Sequence, residues 1–593
     1  MGPRSPGRTV RGGGPGERTR VRPEVRGAGG GGWGDSRGGR PGHRVGPRHG
    51  RSAAGSSPRR DSRRTDSVKN GGMGVMPKAG EVAVGTAGTV GDYDVIVVGA
   101  GSGGCLAAMY AARRGARVAL VERRPADKIG AKVSYDSIKP HAFDELGLPR
   151  PEGEELDAEG SRLRIYSPSK KHWADCDVPN LLVHRGLLGQ RLLRYALEAG
   201  AELMAGTEVA GVVVEGSDGG GGQPGSKVAG LAGIRVRQAG DGGQAMAVTR
   251  ELRAPVTIDA GGFFAPVRRR LPPEVFPAYR IAREETIHGY REVRRLNGPD
   301  DPLVPPEGYP GYHDFLGYES GYLWAVREAD GWVNVGIGVL DRPIAPDYGP
   351  GGGKPVRGAN ALVRDFCAGS PAITEECAAK GHGGSPYIPL RRCLPRLVAN
   401  GFMAVGDAAW QVCPGTGYGI YSSMAAGRLA GEVAAKAVAR GMEAGNPAPF
   451  APAADLWAYD VAWKHGLGAN YAFLDAIRLL VTSLPEADVD WLMGRKIVGS
   501  PEFSPIWVGK PFRYAVGDYL VRGVRGAGRP GLILKLLATL SVARTLERHY
   551  RNAPVTPTGA QAWERRELEL YERLYRRLGV TLTYREFAEE GGG

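Results

Sequence analysis

Six residues that follow an apolar run constrain this chain more than any other feature. Residues 99–104 have the sequence Gly-Ala-Gly-Ser-Gly-Gly and come directly after the apolar run 94–98. An Ala-rich segment at 105–114 has the composition of a helix, and a second apolar run at 117–121 ends at an acidic residue, Glu122. This order of strand, GxGxxG, helix, strand and acid, within about thirty residues, predicts a parallel α/β unit that binds a dinucleotide.

Each part of the glycine-rich turn has a physical role in that prediction. Gly99 allows the tight turn, Gly101 lets the backbone approach a pyrophosphate, and Gly104 lets the helix pack closely on the strand. The helix N-terminus offers free N–H groups and a partial positive charge to the phosphates, and Glu122 can accept hydrogen bonds from the ribose hydroxyls of an adenosine. The candidate dinucleotide-binding residues of this unit are Gly99, Gly101, Ser102, Gly103, Gly104, Glu122 and Arg123.

The positive charge of the chain is concentrated near its N-terminus. The chain has 593 residues and a formal net charge of +15, and residues 1–70 hold seventeen Arg and Lys against five Asp and Glu. The remainder is nearly neutral, so we expect no nucleic-acid partner for the folded body. Residues 1–90 are rich in Gly, Arg, Pro and Ser, which predicts a disordered tail. Three interpretations of the tail stay open: an unstructured extension, a true start at Met73 or Met76, or a segment that binds RNA.

Cysteine usage and hydropathy bear on the cellular compartment. The six cysteines form no CxxC pair and no Cys/His cluster with metal-ligand spacing, so we predict no metal site and a reducing, cytoplasmic environment. The late apolar segment 531–540 contains Lys535 and is flanked by Arg529 and Arg544, so it is too short and too charged to span a membrane. It is predicted to be either a core helix or a helix that lies on a membrane surface.

A second signature lies far downstream of the first. Residues 406–420 run Gly-Asp-Ala-Ala-Trp-Gln-Val-Cys-Pro-Gly-Thr-Gly-Tyr-Gly-Ile and follow the apolar run 402–405. This pattern resembles the Gly-Asp, six residues, Pro motif of FAD enzymes built on the hydroxybenzoate-hydroxylase plan. The resemblance implies that Asp407 binds a ribityl hydroxyl of FAD and that a turn containing Gly406, Gly417, Gly419 and Ile420 presents its N–H groups to the flavin. On its own, Asp407 could instead cap a helix beside a glycine turn.

Two further segments fit the same plan. Residues 259–262, Asp-Ala-Gly-Gly, are followed by Arg268 and resemble the middle Asp-Gly motif near the pyrophosphate, although Phe263 and Phe264 replace the usual small polar residues. Arg185 precedes a predicted helix at 187–199, where these enzymes place an Arg against FAD. A solvated surface arginine is the alternative interpretation of Arg185.

Four segments together are similar to the geranylgeranyl reductase family, which includes the archaeal digeranylgeranylglycerophospholipid reductases. They are residues 99–104, 130–138, 321–338 and 406–427, and the resemblance covers roughly residues 92–580. The chain departs from the family at Ser134 and Tyr135, where members often have Cys-Gly beside the flavin, and after Trp324, where Val-Arg replaces the usual Phe-Pro. Ser134 and Tyr135 are the candidate catalytic residues on this basis.

The resemblance implies an α/β fold with three regions after the tail. The first is a discontinuous FAD-binding domain within 91–450, Rossmann-like and of the hydroxybenzoate-hydroxylase type, formed by about 91–180, 181–275 and 395–450. An antiparallel-sheet substrate domain at about 276–394 is inserted into it, and residues 451–593 form a helical C-terminal region.

The resemblance also implies the reaction. The expected activity is FAD-dependent reduction of C=C bonds in a geranylgeranyl chain of a membrane lipid or an isoprenoid precursor, with electrons from a ferredoxin-like carrier or NAD(P)H. Tyr322 and Trp324 alternate along a predicted strand and either line the substrate tunnel or fill the core. The rival enzyme is a flavin-dependent monooxygenase or halogenase that acts on a small aromatic substrate, and a non-catalytic, RNA-associated protein is the rival of another class.

Overall fold

The computed structural model describes residues 93–132, 135–218, 227–238, 248–297, 303–306, 308–309, 311–318, 321–348, 353–445 and 448–585. The predicted disordered tail, 1–90, and the candidate catalytic residue Ser134 both lie outside the described residues. All statements below concern the described part of the chain.

The described residues form seventeen strands and twelve helices. The strands are β1 Val95–Val98, β2 Val118–Val121, β3 Tyr135–Ile138, β4 Leu156–Tyr166, β5 Trp173–His184, β6 Glu202–Met204, β7 Thr207–Asp218, β8 Lys227–Gln238, β9 Val248–Arg253, β10 Val256–Asp259, β11 Thr286–Leu296, β12 Gly311–Tyr318, β13 Gly321–Glu328, β14 Trp332–Leu340, β15 Ile373–Pro389, β16 Val398–Ala399 and β17 Phe402–Ala404. The helices are α1 Ser102–Ala112, α2 His141–Asp144, α3 Arg185–Glu198, α4 Ala359–Ala368, α5 Ile420–Glu443, α6 Ala453–Trp463, α7 Ala469–Thr482, α8 Glu486–Gly494, α9 Ser500–Trp507, α10 Val516–Arg525, α11 Pro530–Arg551 and α12 Ala560–Leu578.

The first sheet is six-stranded, in the order β16-β17-β10-β1-β2-β6. All its neighbouring pairs are parallel except β16–β17. Strands β1 and β2 are apolar throughout and fully buried, as strands of a parallel sheet covered on both faces must be. The predicted strand–turn–helix–strand unit is therefore present at the centre of this sheet.

Helices α1 and α5 cross in close contact on one face of this sheet. A Cβ on residue 427 would lie 2.1 Å from the carbonyl oxygen of Gly103, and one on residue 431 would lie 2.3 Å from that of Ala107. Only glycine lets the two backbones approach so closely. The glycines of α5 therefore fix how α5 lies against the glycine-rich turn that begins α1.

The second sheet is eight-stranded, in the order β15-β11-β14-β13-β12-β4-β5-β3, and every neighbouring pair is antiparallel except β12–β4. Strand β13 shows how its two faces differ. Leu323 and Ala325 are buried in a core that includes Phe366 of α4, whereas Tyr322 and Trp324 are half-buried on the opposite face. Strands alternate their side chains in this way, so one face packs and the other borders a cavity.

A third, three-stranded sheet is formed by β7, β8 and β9, and helices α6 to α12 make up the C-terminal region, as predicted. A buried ion-pair cluster attaches these helices to the rest of the chain. Arg392 donates from Nε to Glu567 at 2.9 Å and from Nη1 to Asp475 at 3.5 Å, and Arg391 pairs with Glu285 at 2.5 Å. The structure is thus a mixed α/β fold with a helical C-terminal region.

Candidate functional site

A cavity of about 660 Å³ opens at the carboxyl ends of β1, β2 and β10. The residues that follow each of these strands line it, which is where open parallel sheets bind their ligands. The sequence-predicted residues Gly99, Gly101, Ser102, Glu122, Arg123 and Arg185 all lie on its wall. We call it the dinucleotide cavity.

The four glycines of the turn play different steric roles. Gly99 has φ +96°, and a Cβ there would lie 2.5 Å from the carbonyl oxygen of Ala260. A Cβ on residue 104 would lie 1.8 Å from the oxygen of Gly99, whereas a Cβ on Gly101 would meet no protein atom within 4 Å. Gly99 and Gly104 therefore allow the fold, and Gly101 leaves space in the cavity. Neither Gly103 nor Gly104 lines the cavity. Gly103 packs against α5.

Glu122 stands at the end of β2, on the edge of the dinucleotide cavity. Its Oε2 accepts a hydrogen bond from the backbone N–H of Ala100 at 2.8 Å, and its Oε1 accepts one from that of Arg124 at 2.9 Å. These bonds fix the carboxylate next to the turn. Each carboxylate oxygen keeps a second lone pair, with which it can accept a ligand hydroxyl.

Arg185 belongs to a charged cluster between the dinucleotide cavity and the interior. Its Nε lies 3.1 Å from Oδ2 of Asp136, whose Oδ1 accepts a hydrogen bond from Nη1 of Arg291 at 2.6 Å. Burial opposes ionisation of Asp136, but Arg291 and Arg185 hold the pKa of this carboxyl below its usual value. The side chain of Arg185 is only 15% exposed, so the alternative of a solvated surface arginine is wrong.

Asp407 lies in a 3₁₀ turn, Gly406–Ala409, that follows β17. Gly406 adopts φ +67°, which favours glycine at the entry to this turn. Burial raises the pKa of Asp407 to about 6, and the positive charges of Lys132 and Arg185 oppose this shift. Within the described residues its carboxylate has no hydrogen-bond donor from a side chain, so its oxygens are available to ligand hydroxyls.

The middle motif, 259–262, has a divided role. Asp259 is buried, and its carboxylate accepts hydrogen bonds from the backbone N–H groups of Gly261, Val267 and Arg268 at 2.8 to 3.0 Å. It therefore holds the loop in shape. The following residues, with Phe264, line the dinucleotide cavity.

A second cavity, of about 220 Å³, lies between the half-buried face of β12 and β13 and the turn that leads into α5. We call it the inner cavity. Its wall includes the sequence-predicted residues Tyr135, Tyr322, Trp324, Gly417, Gly419 and Ile420. Gly417 has φ +73°, and a Cβ there would lie 2.7 Å from the hydroxyl oxygen of Tyr322. The structure thus brings β13 and the glycine turn together, and Tyr322 and Trp324 both line the cavity and pack against buried hydrophobic clusters.

The inner cavity also holds a polar cluster that the sequence analysis missed. The Nζ of Lys139 donates to the hydroxyl of Tyr312 at 3.2 Å, and the hydroxyls of Tyr312 and Tyr418 are 2.8 Å apart. Asp314 lies on the same face of β12 as Tyr312 and is 3% exposed. Burial lowers the pKa of Lys139 to about 7 and raises that of Asp314 to about 7. The sequence signal that could have revealed this cluster is Asp314, an acidic residue at an inward-facing position of the mostly apolar and aromatic strand β12.

A third cavity, of about 170 Å³, continues from the inner one between the second sheet and the C-terminal helices. We call it the outer cavity. Its wall is mostly aliphatic, with contributions from Leu340, Leu474, Met493 and Leu536. The inner and outer cavities share the wall residues Asp314, Tyr322, Thr416, Gly417, Tyr418 and Trp507. The arrangement can hold a dinucleotide at the first sheet and a long apolar molecule that reaches the glycine turn.

Comparisons with known proteins agree with this arrangement. Residues 94–263 match the family model for FAD-dependent oxidoreductases. The chain is 27% identical over 482 residues to a digeranylgeranylglycerophospholipid reductase of Sulfolobus acidocaldarius, which covers 80% of this chain and 96% of the relative. It is 30% identical over 388 residues to the enzyme of that name from Methanospirillum hungatei, covering 63% of this chain and 81% of the relative.

A solved structure shares the fold. The crystal structure of a geranylgeranyl bacteriochlorophyll reductase-like protein from Thermoplasma acidophilum aligns with a TM-score of 0.56 and 22% identity, over 75% of this chain and 99% of that one. The cofactor of the chain is FAD. The residues present fit it, because a Cβ on Gly101 would meet no protein atom within 4 Å, the carboxylate of Glu122 lines the cavity, and Asp407 interacts electrostatically with the lining residues Lys132 and Arg185. The chain is therefore an FAD-dependent oxidoreductase that belongs to the digeranylgeranylglycerophospholipid reductase family.

Proposed function

We propose that this enzyme reduces C=C double bonds of a geranylgeranyl chain carried by a membrane lipid or an isoprenoid precursor. The observation that carries the proposal is the aliphatic outer cavity, which meets the inner cavity at Gly417 and Tyr418. Burying a prenyl chain there stabilises the complex by about 0.8 kcal/mol per CH₂ group. The names of the relatives support the same substrate class.

The residues that would hold FAD follow from their positions. The turn Gly99, Gly101 and Ser102 would receive the pyrophosphate, Glu122 and Arg123 the adenosine, Arg185 the middle of the cofactor and Asp407 a ribityl hydroxyl. Gly417, Gly419 and Ile420 would present the start of α5 to the flavin, whose reduced form supplies a hydride. With this assignment we propose that the fold is of the hydroxybenzoate-hydroxylase type. We also propose the domain division 91–180, 181–275 and 395–450 for the cofactor, 276–394 for the substrate and 451–593 for the helical region, with β3, β4 and β5 contributed to the second sheet from the cofactor segments.

The chain's own residues would orient the substrate and exclude water. Tyr322 and Trp324 present their rings to the inner cavity at a centroid distance of 5.7 Å. An aromatic wall can position an extended prenyl chain without a polar group on the substrate. Tyr135 borders the same space and remains a candidate for contact with the reacting bond.

We also propose that the enzyme works at a membrane surface in the cytoplasm. Within the described residues no helix is both long and apolar enough to cross a membrane. Helix α10 has no buried residue, and Val516, Leu520, Val521 and Val524 are 81%, 69%, 49% and 79% exposed. Their spacing puts them on one face of a helix, as in helices that lie in the lipid interface.

Basic residues border this apolar face. Arg525, at the end of α10, and Lys496 are exposed, and Nη1 of Arg525 donates to the carbonyl oxygen of Lys496. Leu534 of the following helix α11 is 66% exposed. Leu536, on the same helix, lines the outer cavity, so a lipid could enter the cavity from this side. In the second half of α11, one face, which includes Leu540, is buried in the core, and Arg529 pairs with Asp488. The contact therefore centres on α10 rather than on the segment 531–540 alone.

The membrane proposal is tested with vesicles that contain anionic lipid. We expect the protein to sediment with them, and Val524→Glu to weaken this binding because it places a charge in the apolar face. Val555→Glu, at a residue 73% exposed elsewhere, is the matched control. Equal binding of wild type and Val524→Glu would contradict the proposal.

The reaction is tested by following the flavin. The enzyme is reduced chemically without oxygen and mixed with a geranylgeranyl ether lipid, and we expect the flavin to return to its oxidised spectrum. Reduction by NAD(P)H or by a ferredoxin-like carrier, tried separately, identifies the electron donor. Flavin that stays reduced with the lipid, together with oxygen consumption coupled to an aromatic substrate, would favour the monooxygenase or halogenase instead.

A further inference from the structure

We propose that Asp314 is the general acid that protonates the substrate double bond, an inference that rests on the proposed reductase function. The reduction of a C=C bond needs a hydride for one carbon and a proton for the other. The candidate catalytic residues from the sequence were Ser134 and Tyr135. The structure places a buried carboxyl group elsewhere, at the junction of the two cavities.

The position of Asp314 follows from the alternation of β12. Tyr312, Asp314 and Leu316 point to the cavity side of the sheet, whereas Phe315 is buried in the core on the other side. Asp314 lines both the inner and the outer cavity. A prenyl chain that passes from one to the other would therefore pass this carboxyl group.

The chemistry of the substrate requires an acid of this kind. An isolated alkene has no carbonyl group to stabilise developing negative charge, so an acid that still holds its proton must lie beside the double bond and deliver it as the hydride is transferred. An ordinary carboxyl has a pKa of about 4, against about 10 for a tyrosine, but at neutral pH it has normally lost its proton. Burial raises the pKa of Asp314 to about 7, with Lys139 opposing the shift, so a substantial fraction keeps its proton at neutral pH.

The groups that face Asp314 can return its proton. They are Lys139, Tyr312, Tyr322 and Tyr418, each of which interacts electrostatically with it. Lys139 donates to Tyr312 at 3.2 Å, and Tyr312 lies 2.8 Å from Tyr418. Burial lowers the pKa of Lys139 to about 7, so its ammonium group can also release a proton near neutral pH.

The step is balanced as follows. The π bond of the alkene breaks, one carbon forms a C–H bond with a hydride supplied by the reduced flavin, and the other forms a C–H bond with the proton of Asp314. The O–H bond of Asp314 breaks and leaves a carboxylate that the ammonium group of Lys139 stabilises. Proton transfer from Lys139, and from water to Lys139, restores the acid, while the external electron donor reduces the flavin again.

Two measurements on Asp314→Asn test the inference, with Asp330→Asn as matched control. Asp330 is exposed in the turn after β13, and its φ of +59° suits asparagine. First, infrared difference spectra of the FAD-free proteins at pH 6 are compared. We expect wild type and Asp330→Asn to show a protonated-carboxyl band that Asp314→Asn lacks, and absence of this difference would overturn the inference.

Second, the chemically reduced, FAD-loaded proteins are mixed with a geranylgeranyl ether lipid without oxygen. We expect Asp314→Asn to keep its flavin but to oxidise it at least 100-fold more slowly than wild type, and Asp314→Glu to recover part of the rate. An unchanged rate in Asp314→Asn would overturn the acid role while leaving the reductase function intact. If wild type itself does not react, the reductase function fails, and with it the role assigned to Asp314, whatever the infrared result. If Asp314→Asn loses flavin, the flavin-loaded Asp314→Glu variant decides: oxidation of its flavin by the lipid supports the inference, and no oxidation would overturn it.

Discussion

Replacing Gly101 separates cofactor binding from folding, because its Cβ position is empty. A Cβ there would meet no protein atom within 4 Å, and the residue lines the dinucleotide cavity. Its backbone angles, φ −72° and ψ −179°, are open to valine. The main cost of Gly101→Val to the FAD-free fold is the loss of a favourable N-cap residue, about 1 kcal/mol. The valine side chain would instead occupy the space assigned to the pyrophosphate.

We therefore expect Gly101→Val to weaken FAD binding at least 100-fold, about 2.8 kcal/mol, with little change in stability. Gly104→Ala is the contrasting variant, because its Cβ would lie 1.8 Å from the oxygen of Gly99, whereas ordinary contact begins at 3.4 Å. Overpacking of this kind costs about 3 kcal/mol. The assay is titration with FAD, followed by flavin fluorescence, and urea unfolding of the FAD-free proteins. Normal FAD affinity in Gly101→Val, or its unfolding, would refute the reasoning.

Three further predictions follow from the buried charges and the second turn. Asp407 has a pKa raised from 3.8 to about 6 in the fold, so the stability it contributes is present at low pH and lost as the pH rises through about 6. In urea unfolding of the FAD-free proteins, the free energy of unfolding of Asp407→Asn should therefore rise relative to that of wild type between pH 4 and 7, by at most about 3 kcal/mol. A difference that stays constant over this pH range would contradict this. Arg392→Leu should destabilise the protein by about 3 to 5 kcal/mol, because Glu285, Asp475 and Glu567 would be left buried without it; the measurement is the urea midpoint, and an unchanged midpoint would rule out the anchoring role of this cluster. Gly417→Ala should weaken FAD binding, because Gly417 has a φ of +73° and its Cβ would lie close to the hydroxyl of Tyr322. FAD titration should show this loss in Gly417→Ala but not in Gly147→Ala, a variant at an exposed glycine.

Local patterns were sufficient to predict the first sheet and its turn. The run 94–98, the glycines and Glu122 are neighbours in sequence, and each specifies its own element. The resemblance to a known family added the glycine turn before α5, and the prediction of an FAD-dependent oxidoreductase is confirmed. The assigned site residues stay predictions until FAD binding is measured.

Contacts between distant segments could not be predicted in the same way. Strand β12 pairs in parallel with β4, and Lys139, which follows β3, contacts Tyr312 of β12 although β4 and β5 lie between these two strands in the sheet. No local pattern records that proximity. The exposed apolar face of α10 was missed for a different reason, although the helix itself lies in the region predicted to be helical. Its four exposed apolar residues are separated by Gly, Arg and Asp, so hydropathy along the sequence is low although one face of the helix is apolar.

Mass spectrometry of the lipid tests the central claim most directly. The chemically reduced protein is incubated without oxygen with a geranylgeranyl ether lipid, and the molecular mass of the lipid product is measured. The account predicts that the lipid gains two hydrogen atoms for each double bond reduced, in proportion to the flavin oxidised. A lipid of unchanged mass beside a fully FAD-loaded protein would contradict it.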